Sequence, residues 1–119
     1  MNHFMLPLWN GVGLSSPKFG NIAIVKLIEK VKAMGGNKHH LIAKVFGGST
    51  RLETSQNHFQ IGKRNFLVAE ELLKAHNIPM LSYSVGGNRG RKIFFHTDTG
   101  EVFMKILPDI INPVKGLKK

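Results

Sequence analysis

A short apolar segment ended by two glycines constrains the fold of this chain more than any other stretch. Leu41 to Phe46 is almost continuously apolar and runs directly into Gly47 and Gly48. Such a run is typical of a strand that is buried on both faces of a sheet. Segments with apolar residues at helical spacing precede and follow it, at Asn21 to Met34 and at about Gly62 to His76. We therefore expect an α/β fold in which helices pack on a sheet.

The glycine pair also indicates where a ligand would bind. Glycine allows a positive φ angle and leaves no side chain in the way of a close approach. In an α/β sheet the ligand crevice lies outside the carboxyl ends of the strands, which is where Gly47 and Gly48 are expected. Their position predicts a crevice but specifies no chemistry.

The ends of the helices and the remaining strands follow from turn chemistry. Asn21 should cap the first helix, and the glycines after Met34 should end it. The polar segment Thr50 to Gln60 is expected to be a loop, and a strand should end at residues 3–6. Three further strands are predicted near the carboxyl end, and the turn Asp98-Thr99-Gly100 should join the last two as a hairpin. Their ranges are Met80 to Val85, Arg91 to Thr97 and Glu101 to Leu107.

Composition limits the class of protein. The chain has 119 residues, of which 42% are hydrophobic and none is cysteine. These values predict one globular domain over residues 1–107, without a disulfide framework, followed by a basic, flexible tail at residues 108–119. No apolar run is long enough to cross a bilayer, and the first residues do not resemble a signal peptide. We therefore expect a cytoplasmic protein.

The net charge of +10 is compatible with nucleic acid, an anionic membrane or an acidic protein as partner. The basic residues are scattered along the chain, and most of them are expected to be ordinary solvated side chains. A nucleic-acid-binding domain would need exposed aromatic side chains between the basic ones. Phe94, Phe95 and Phe103 are instead expected in the core. A basic nucleic-acid-binding domain is therefore the least favoured class.

Few residues carry a chemical signal. None of the six histidines belongs to an H-E-x-x-H motif, so neither a metal site nor a cofactor is predicted. His3 stands at a strand end before a glycine-rich loop and suits a general base, although a lone histidine is more often structural. The segment Gly86 to Arg91 resembles a phosphate-binding loop, but a strand follows it where such a loop needs a helix. A tight turn that presents Arg89 and Arg91 is the better interpretation.

Five short motifs occur in one order along the chain and together resemble the chemoreceptor glutamine deamidase family, CheD. The resemblance runs from about His3 to Leu107 and is specific because all five motifs are in register. The motifs are His3 to Pro7, Ala43 to Gly48, Ile61 to Asn65, Gly86 to Arg91, and Thr99 to Val102.

The resemblance implies a layered α/β sandwich with two main helices on a mixed or antiparallel sheet. It also implies a cytoplasmic cysteine hydrolase that converts chemoreceptor glutamines to glutamates and releases ammonia, without a cofactor. His3 matches the family's catalytic histidine, and Gly47, Gly48, Arg89 and Arg91 would line the substrate crevice. The implied partners are the glutamine- and glutamate-rich helices of chemoreceptors and a CheC-type phosphatase.

The sequence departs from the family at its nucleophile. The family places a cysteine in a Gly-Ser-Cys stretch on the N-terminal side of the histidine, and an assisting threonine lies further upstream. Here only two residues precede His3, and the chain has no cysteine. We therefore expect a family member that is truncated at its N-terminus and inactive as it stands. The alternative is a catalytically dead binding module that still docks a chemoreceptor or the phosphatase.

Overall fold

The computed structural model describes residues 1–49 and 56–108 of the chain. A single 3₁₀ turn at Lys38–His40 lies between the first helix and the first strand. The flexible tail predicted at residues 108–119 lies, apart from its first residue, outside the described residues, as does most of the loop predicted from Thr50. In chain order the main elements are α1 (Gly20–Ala33), β1 (Ala43–Gly47), α2 (Gln56–Ala75), β2 (Met80–Val85), β3 (Arg91–Phe95) and β4 (Val102–Ile106).

Helix α1 lies where the sequence predicts it, but its start is formed differently. Phe19 occupies the N-cap position with an extended backbone. Asn21, the expected cap, lies inside the first turn, where its Oδ1 accepts the backbone N–H of Trp9 at 2.8 Å. The capping prediction is therefore wrong, because this side chain holds the preceding loop against the helix.

The glycine stop of α1 is confirmed. Gly36 N–H donates to the carbonyl of Val31, and Gly35 N–H donates to that of Lys32. Gly35 has a φ angle of +103°, which glycine adopts without the steric cost of a side chain. This pair of hydrogen bonds is the Schellman arrangement that closes a helix at its carboxyl end.

Helix α2 begins at Gln56, well before the predicted start at about Gly62. The loop predicted over Thr50 to Gln60 is therefore wrong at its end, since residues 56–60 are helical. Gly62 looks like a helix boundary in the sequence, because glycine in a helix interior normally costs stability. In the structure Gly62 is buried within the helix, and its close contact with the backbone of Gly48 explains why a glycine stands there.

The strands form a parallel pair, β1 with β2, and an antiparallel pair, β3 with β4. In the parallel pair Val45 lies opposite Tyr83, and Phe46 lies opposite Ser84. Val45 packs against the buried core, and the Tyr83 ring lies 6.1 Å from that of Phe66 on α2. Because side chains alternate between the faces of a strand, Phe46 and Ser84 point to the side away from the helices.

The β3–β4 hairpin lies over that second face. Lys44, on the same face of β1 as Phe46, donates from Nζ to the carbonyl of Gly100 in the hairpin turn at 2.8 Å. At the other end of the hairpin, Arg91 Nε donates to Ser84 Oγ at 3.1 Å. The molecule is thus layered as helices, parallel strands and hairpin, which confirms the α/β class.

The core lies between the helices and the parallel strands, where Phe4, Ala43, Val45 and Met80 pack against it. Pairing of the two helices accounts for most of it, because both present apolar side chains at helical spacing. None of the described helices is long and apolar enough to cross a membrane. The buried core residues are Ala23, Ile24, Ile28, Ala69, Leu73 and Ile78.

Three predictions about strands need correction. Strand β1 is not buried on both faces, since all its residues are partly exposed and Ile42, just before it, is 55% exposed. The strand expected to end at residues 3–6 is reduced to a single bridge between Leu6 and Phe19. Apolar content indicated a strand here, but among the described residues only Phe19 pairs with this segment in a bridge.

The third correction concerns the aromatic residues of the hairpin. Phe94 and Phe103 are 52% and 55% exposed, and Phe95 is also exposed, so these side chains are not in the core. Alternation in a hairpin places Phe94 and Phe103 together on one face, which points to solvent, whereas Phe95 lies on the opposite face at the end of β3 and is the least exposed of the three. Aromatic content predicted the strands correctly but did not predict their burial.

Candidate active site

The segment that follows His3 is held firmly against the start of α1. The backbone N–H groups of Met5 and Leu6 both donate to the carbonyl of Lys18, at 2.8 and 2.9 Å. Phe4 packs on the core, whereas His3 itself is exposed. The imidazole is therefore accessible on a backbone that is fixed immediately after it.

Helix α2 connects this segment with the end of β1. Asn65 Nδ2 donates to the carbonyl of Met5 at 3.2 Å. One helical turn earlier, Gly62 lies so close to β1 that a Cβ built on it would stand 2.5 Å from the carbonyl oxygen of Gly48. Residues three apart on a helix are neighbours on one face. The structure thus anchors the His3 segment and the Gly47-Gly48 pair on adjacent turns of the same helix.

The ends of β1 and β2 are built from glycines with positive φ angles. Gly47, Gly48 and Gly86 have φ angles of +118°, +71° and +80°. The N–H of Gly86 donates to the carbonyl of Gly47 at 2.9 Å, which continues the parallel pairing past the strands. Strands β1 and β2 therefore both end in a turn of the backbone at the same edge of the sheet. This is the carboxyl edge, where the crevice was predicted.

Arg91 joins these strand ends. Its Nη1 donates to the carbonyl of Gly47 at 3.3 Å, and its Nη2 donates to that of Gly86 at 2.9 Å. With the bond from Nε to Ser84, the planar guanidinium makes hydrogen bonds from all three of its nitrogens. Arg91 therefore places a fixed positive charge at the edge of the predicted crevice, with its donors directed at the protein's own oxygens.

Arg89 differs from Arg91, since its side chain is exposed. The connection predicted between β2 and β3 as a tight turn is a bend at residues 87–89, with Gly87 at a φ angle of +74°. Only one of the two arginines that this turn was expected to present therefore extends into solvent. Whether either contacts a substrate stays a prediction.

Asn65 and Gly62 are the site residues whose role the sequence did not reveal. Both lie in the Ile61 to Asn65 motif, so the signal was present as a motif without a function. Within the described residues, Asn65 Oδ1 is buried and has no hydrogen-bond partner, although Nδ2 of the same amide is bonded. The sequence likewise did not predict the contact of Lys44 with the hairpin turn.

In the described ranges, no three His, Asp or Glu side chains converge as metal ligands would.

Taken together, the geometry defines a small α/β domain in which helix α2 contacts both the segment that follows an exposed histidine and a glycine-built strand edge. A family model described as CheD chemotactic sensory transduction matches residues 5–106. The chain belongs to the CheD family. His3 lies just before the matched range, so its role stays a prediction.

Individual relatives agree with the family match. A protein of Trichlorobacter lovleyi is 50% identical over 104 residues, which cover 87% of this chain and 65% of that protein. One from Sulfurimonas denitrificans is 43% identical over 106 residues, covering 88% and 68% of the two chains. One from Anaeromyxobacter dehalogenans is 39% identical over 107 residues, covering 90% and 62%. All three are named as probable chemoreceptor glutamine deamidases, and the chain spans roughly two thirds of their length.

Proposed function

We propose that this chain supplies the histidine and the substrate crevice of a protein-glutamine deamidase that acts on bacterial chemoreceptors. The observation that carries the proposal is the family match, which spans the glycine edge, the anchoring turns of α2 and Arg91. The names of the relatives give the reaction and the substrate. The net charge of +10 supports an encounter with helices rich in glutamate.

The proposed chemistry is amide hydrolysis through a thioester. A thiolate attacks the carbon of the glutamine carboxamide, the C–N bond breaks, and the nitrogen leaves as ammonia after receiving a proton. Water then cleaves the thioester to give glutamate and to regenerate the thiol. His3 would accept the thiol proton, deliver it to the leaving nitrogen and activate the water. Since these 119 residues contain no cysteine, the thiol has to be supplied from outside them.

Each of the other predicted site residues has a proposed task. Gly47 and Gly48 would let the substrate backbone approach the strand edge without meeting a side chain. Arg91 would fix the shape of that edge, because its hydrogen bonds connect the ends of both parallel strands. Arg89 is exposed and could pair with an acidic residue of the receptor helix. A CheC-type phosphatase as second partner and a cytoplasmic location are further parts of this proposal.

The test compares the 119-residue chain with a form extended at its N-terminus by the Gly-Ser-Cys stretch of a relative. Ammonia release from a chemoreceptor fragment is followed for both. We expect activity in the extended form alone, with loss on His3→Ala and retention on His40→Ala, the control at another exposed histidine. A form extended with Gly-Ser-Ser should be inactive.

Three results would contradict parts of the proposal. Ammonia release by the chain without a thiol would show that the assumed nucleophile is wrong. An extended form that folds and binds the receptor fragment but releases no ammonia would instead support the binding-module alternative. Full activity after His3→Ala would remove the histidine from the mechanism while leaving the reaction in place.

A further inference from the structure

We propose that the solvent-facing side of the β3–β4 hairpin docks an acidic helix in which an apolar residue lies one turn from a carboxylate. The surface consists of Lys92, Phe94, Phe103 and Lys105, here called the Lys-Phe face. The proposal deepens the proposed function and rests on it, since it assigns a docking surface for the receptor helix away from the strand-end crevice.

The four side chains share one face because of the hairpin register. Lys92 lies opposite Lys105, and Phe94 lies opposite Phe103. Residues two apart on a strand point to the same side, so the two pairs form adjacent rows. All four side chains are exposed. The result is a row of two positive charges next to a row of two phenyl rings.

The lysine pair indicates an anionic ligand. Side chains directly opposite in an antiparallel pair have Cβ atoms about 4.5–5.5 Å apart, and like charges in that position are destabilising. One carboxylate placed between the two ammonium groups would remove that repulsion and accept from both. The two acids of the hairpin, Asp98 and Glu101, lie at its turn, the opposite end from Lys92 and Lys105. Within the described part of the hairpin, the basic row therefore has no neighbouring carboxylate and can accept an external one.

The aromatic row suits an aliphatic side chain better than a flat base. The Nζ of Lys92 lies 5.3 Å from the centroid of the Phe94 ring, so the ammonium group covers part of one face of that ring. The ring of Phe103 stands nearly perpendicular to that of His96, at 82° and 5.3 Å. Stacking of successive bases needs free ring faces, which this packing reduces. An aliphatic side chain needs only the apolar surface that remains.

The spacing of the two rows fits a helix. Residues two apart on a strand are separated by about 6.6 Å, and residues one turn apart on a helix by about 5–6 Å. A glutamate bound between Lys92 and Lys105 would therefore place a residue three or four positions away over Phe94 and Phe103. The chemistry recognised is a glutamate followed or preceded by a leucine-like residue at that distance.

The hairpin presents this face rigidly because both its ends are tied to the parallel strands. Arg91 binds the carbonyls of Gly47 and Gly86 at the base, and Lys44 binds the carbonyl of Gly100 at the turn. Arg91 lies on the opposite face of β3 from Lys92, so these contacts leave the Lys-Phe face free. A preformed surface loses little entropy on binding.

The experiment measures binding without turnover, by fluorescence anisotropy of a labelled helical peptide of about 20 residues. The peptide is rich in glutamate and glutamine and has leucine one turn from each glutamate. The chain is compared with Lys92→Gln/Lys105→Gln, with Phe94→Ser/Phe103→Ser, and with the control Lys26→Gln/Lys30→Gln, which changes the net charge equally on exposed positions of α1. A thymidine oligonucleotide serves as competitor.

We expect the lysine variant to bind the peptide about tenfold more weakly, because it loses two exposed charge pairs whose combined effect on affinity is of that size. The control should bind as the parent does. The serine variant should also bind more weakly but keep the salt dependence of the parent, because it retains both lysines, whereas binding by the lysine variant should depend less on salt. Equal losses in the control, or none in the lysine variant, would overturn the proposal. So would tighter binding of the oligonucleotide, or a dimer that the serine variant dissociates. Normal peptide binding by an extended form that releases no ammonia would refute the deamidase proposal alone.

Discussion

Replacing Gly62 by alanine should destabilise the protein, although the same change in an open helix position stabilises it. Gly62 is buried within α2, and a Cβ there would meet three backbone atoms. It would stand 2.5 Å from the carbonyl oxygen of Gly48, 2.9 Å from its carbonyl carbon and 3.0 Å from the carbonyl oxygen of Ser49. Because none of these atoms belongs to a flexible side chain, the helix or the strand end has to move.

The magnitude follows from two opposing terms. Alanine gains about 1 kcal/mol over glycine from helix propensity in a helix interior. Forcing an extra carbon into a packed site costs about 1–3 kcal/mol, and the upper end applies here because the contact is with backbone. The expected net loss is thus about 2 kcal/mol in the free energy of unfolding. For a domain of this size that lowers Tm by roughly 10 °C.

The assay is thermal and urea unfolding followed by circular dichroism. Lys63→Ala is the matched control, since it is the next residue of α2, its side chain is exposed, and it should change stability by less than about 0.5 kcal/mol. A Gly62→Ala protein as stable as the parent, or more stable, would refute the close approach of α2 to the end of β1.

Two further predictions concern the residues that hold the site together. Arg91→Lys should lower the free energy of unfolding by about 2 kcal/mol in urea unfolding, because one ammonium cannot reproduce the hydrogen bonds of the guanidinium, whereas Arg89→Lys should change it by less than about 0.5 kcal/mol. Equal effects at the two positions would contradict the role given to Arg91. Asn65→Leu removes the donor to the carbonyl of Met5, so limited proteolysis of the segment around His3 should accelerate about tenfold. An unchanged cleavage rate would show that this hydrogen bond does not anchor the segment.

Much of the fold could be predicted because its signals are local. The apolar spacing of α1 and the glycines that close it fixed that helix to within one residue at each end. The hairpin was found from the turn Asp98-Thr99-Gly100, and Gly100 indeed has a φ angle of +81°. In each case the residues that determine the structure are within a few positions of one another, so the sequence alone is sufficient to predict the element.

Predictions failed where one residue type has two physical uses. Glycine ends helices and also permits close packing, and at Gly62 the second use applies inside α2. Asparagine caps helices and also bonds to loops, and at Asn21 its amide holds Trp9 instead. Phenylalanine favours strands whether buried or exposed, so the exposure of Phe94 and Phe103 could not be inferred. Choosing between such uses requires knowing which distant segment lies nearby.

The candidate site shows the same division between local signals and distant contacts. Its edge was predicted from Gly47-Gly48 alone, because strand ends and glycine pairs are local features. The partners of Arg91 and Asn65 were not, since Arg91 binds a carbonyl 44 positions away and Asn65 binds one 60 positions away. A single sequence does not indicate which of its distant positions are in contact in the folded protein.

These long-range contacts make α2 the frame of the candidate site. Asn65 fixes the backbone that carries His3, and Gly62 fixes the strand end that carries Gly48, one turn away on the same helix. A shift of this helix would move both parts in the same direction and preserve their relation. A change at only one of the two contacts would displace the histidine segment relative to the glycine edge, where the crevice is predicted. For a reaction that requires a positioned proton carrier, misplacement of that kind lowers turnover more than it lowers stability.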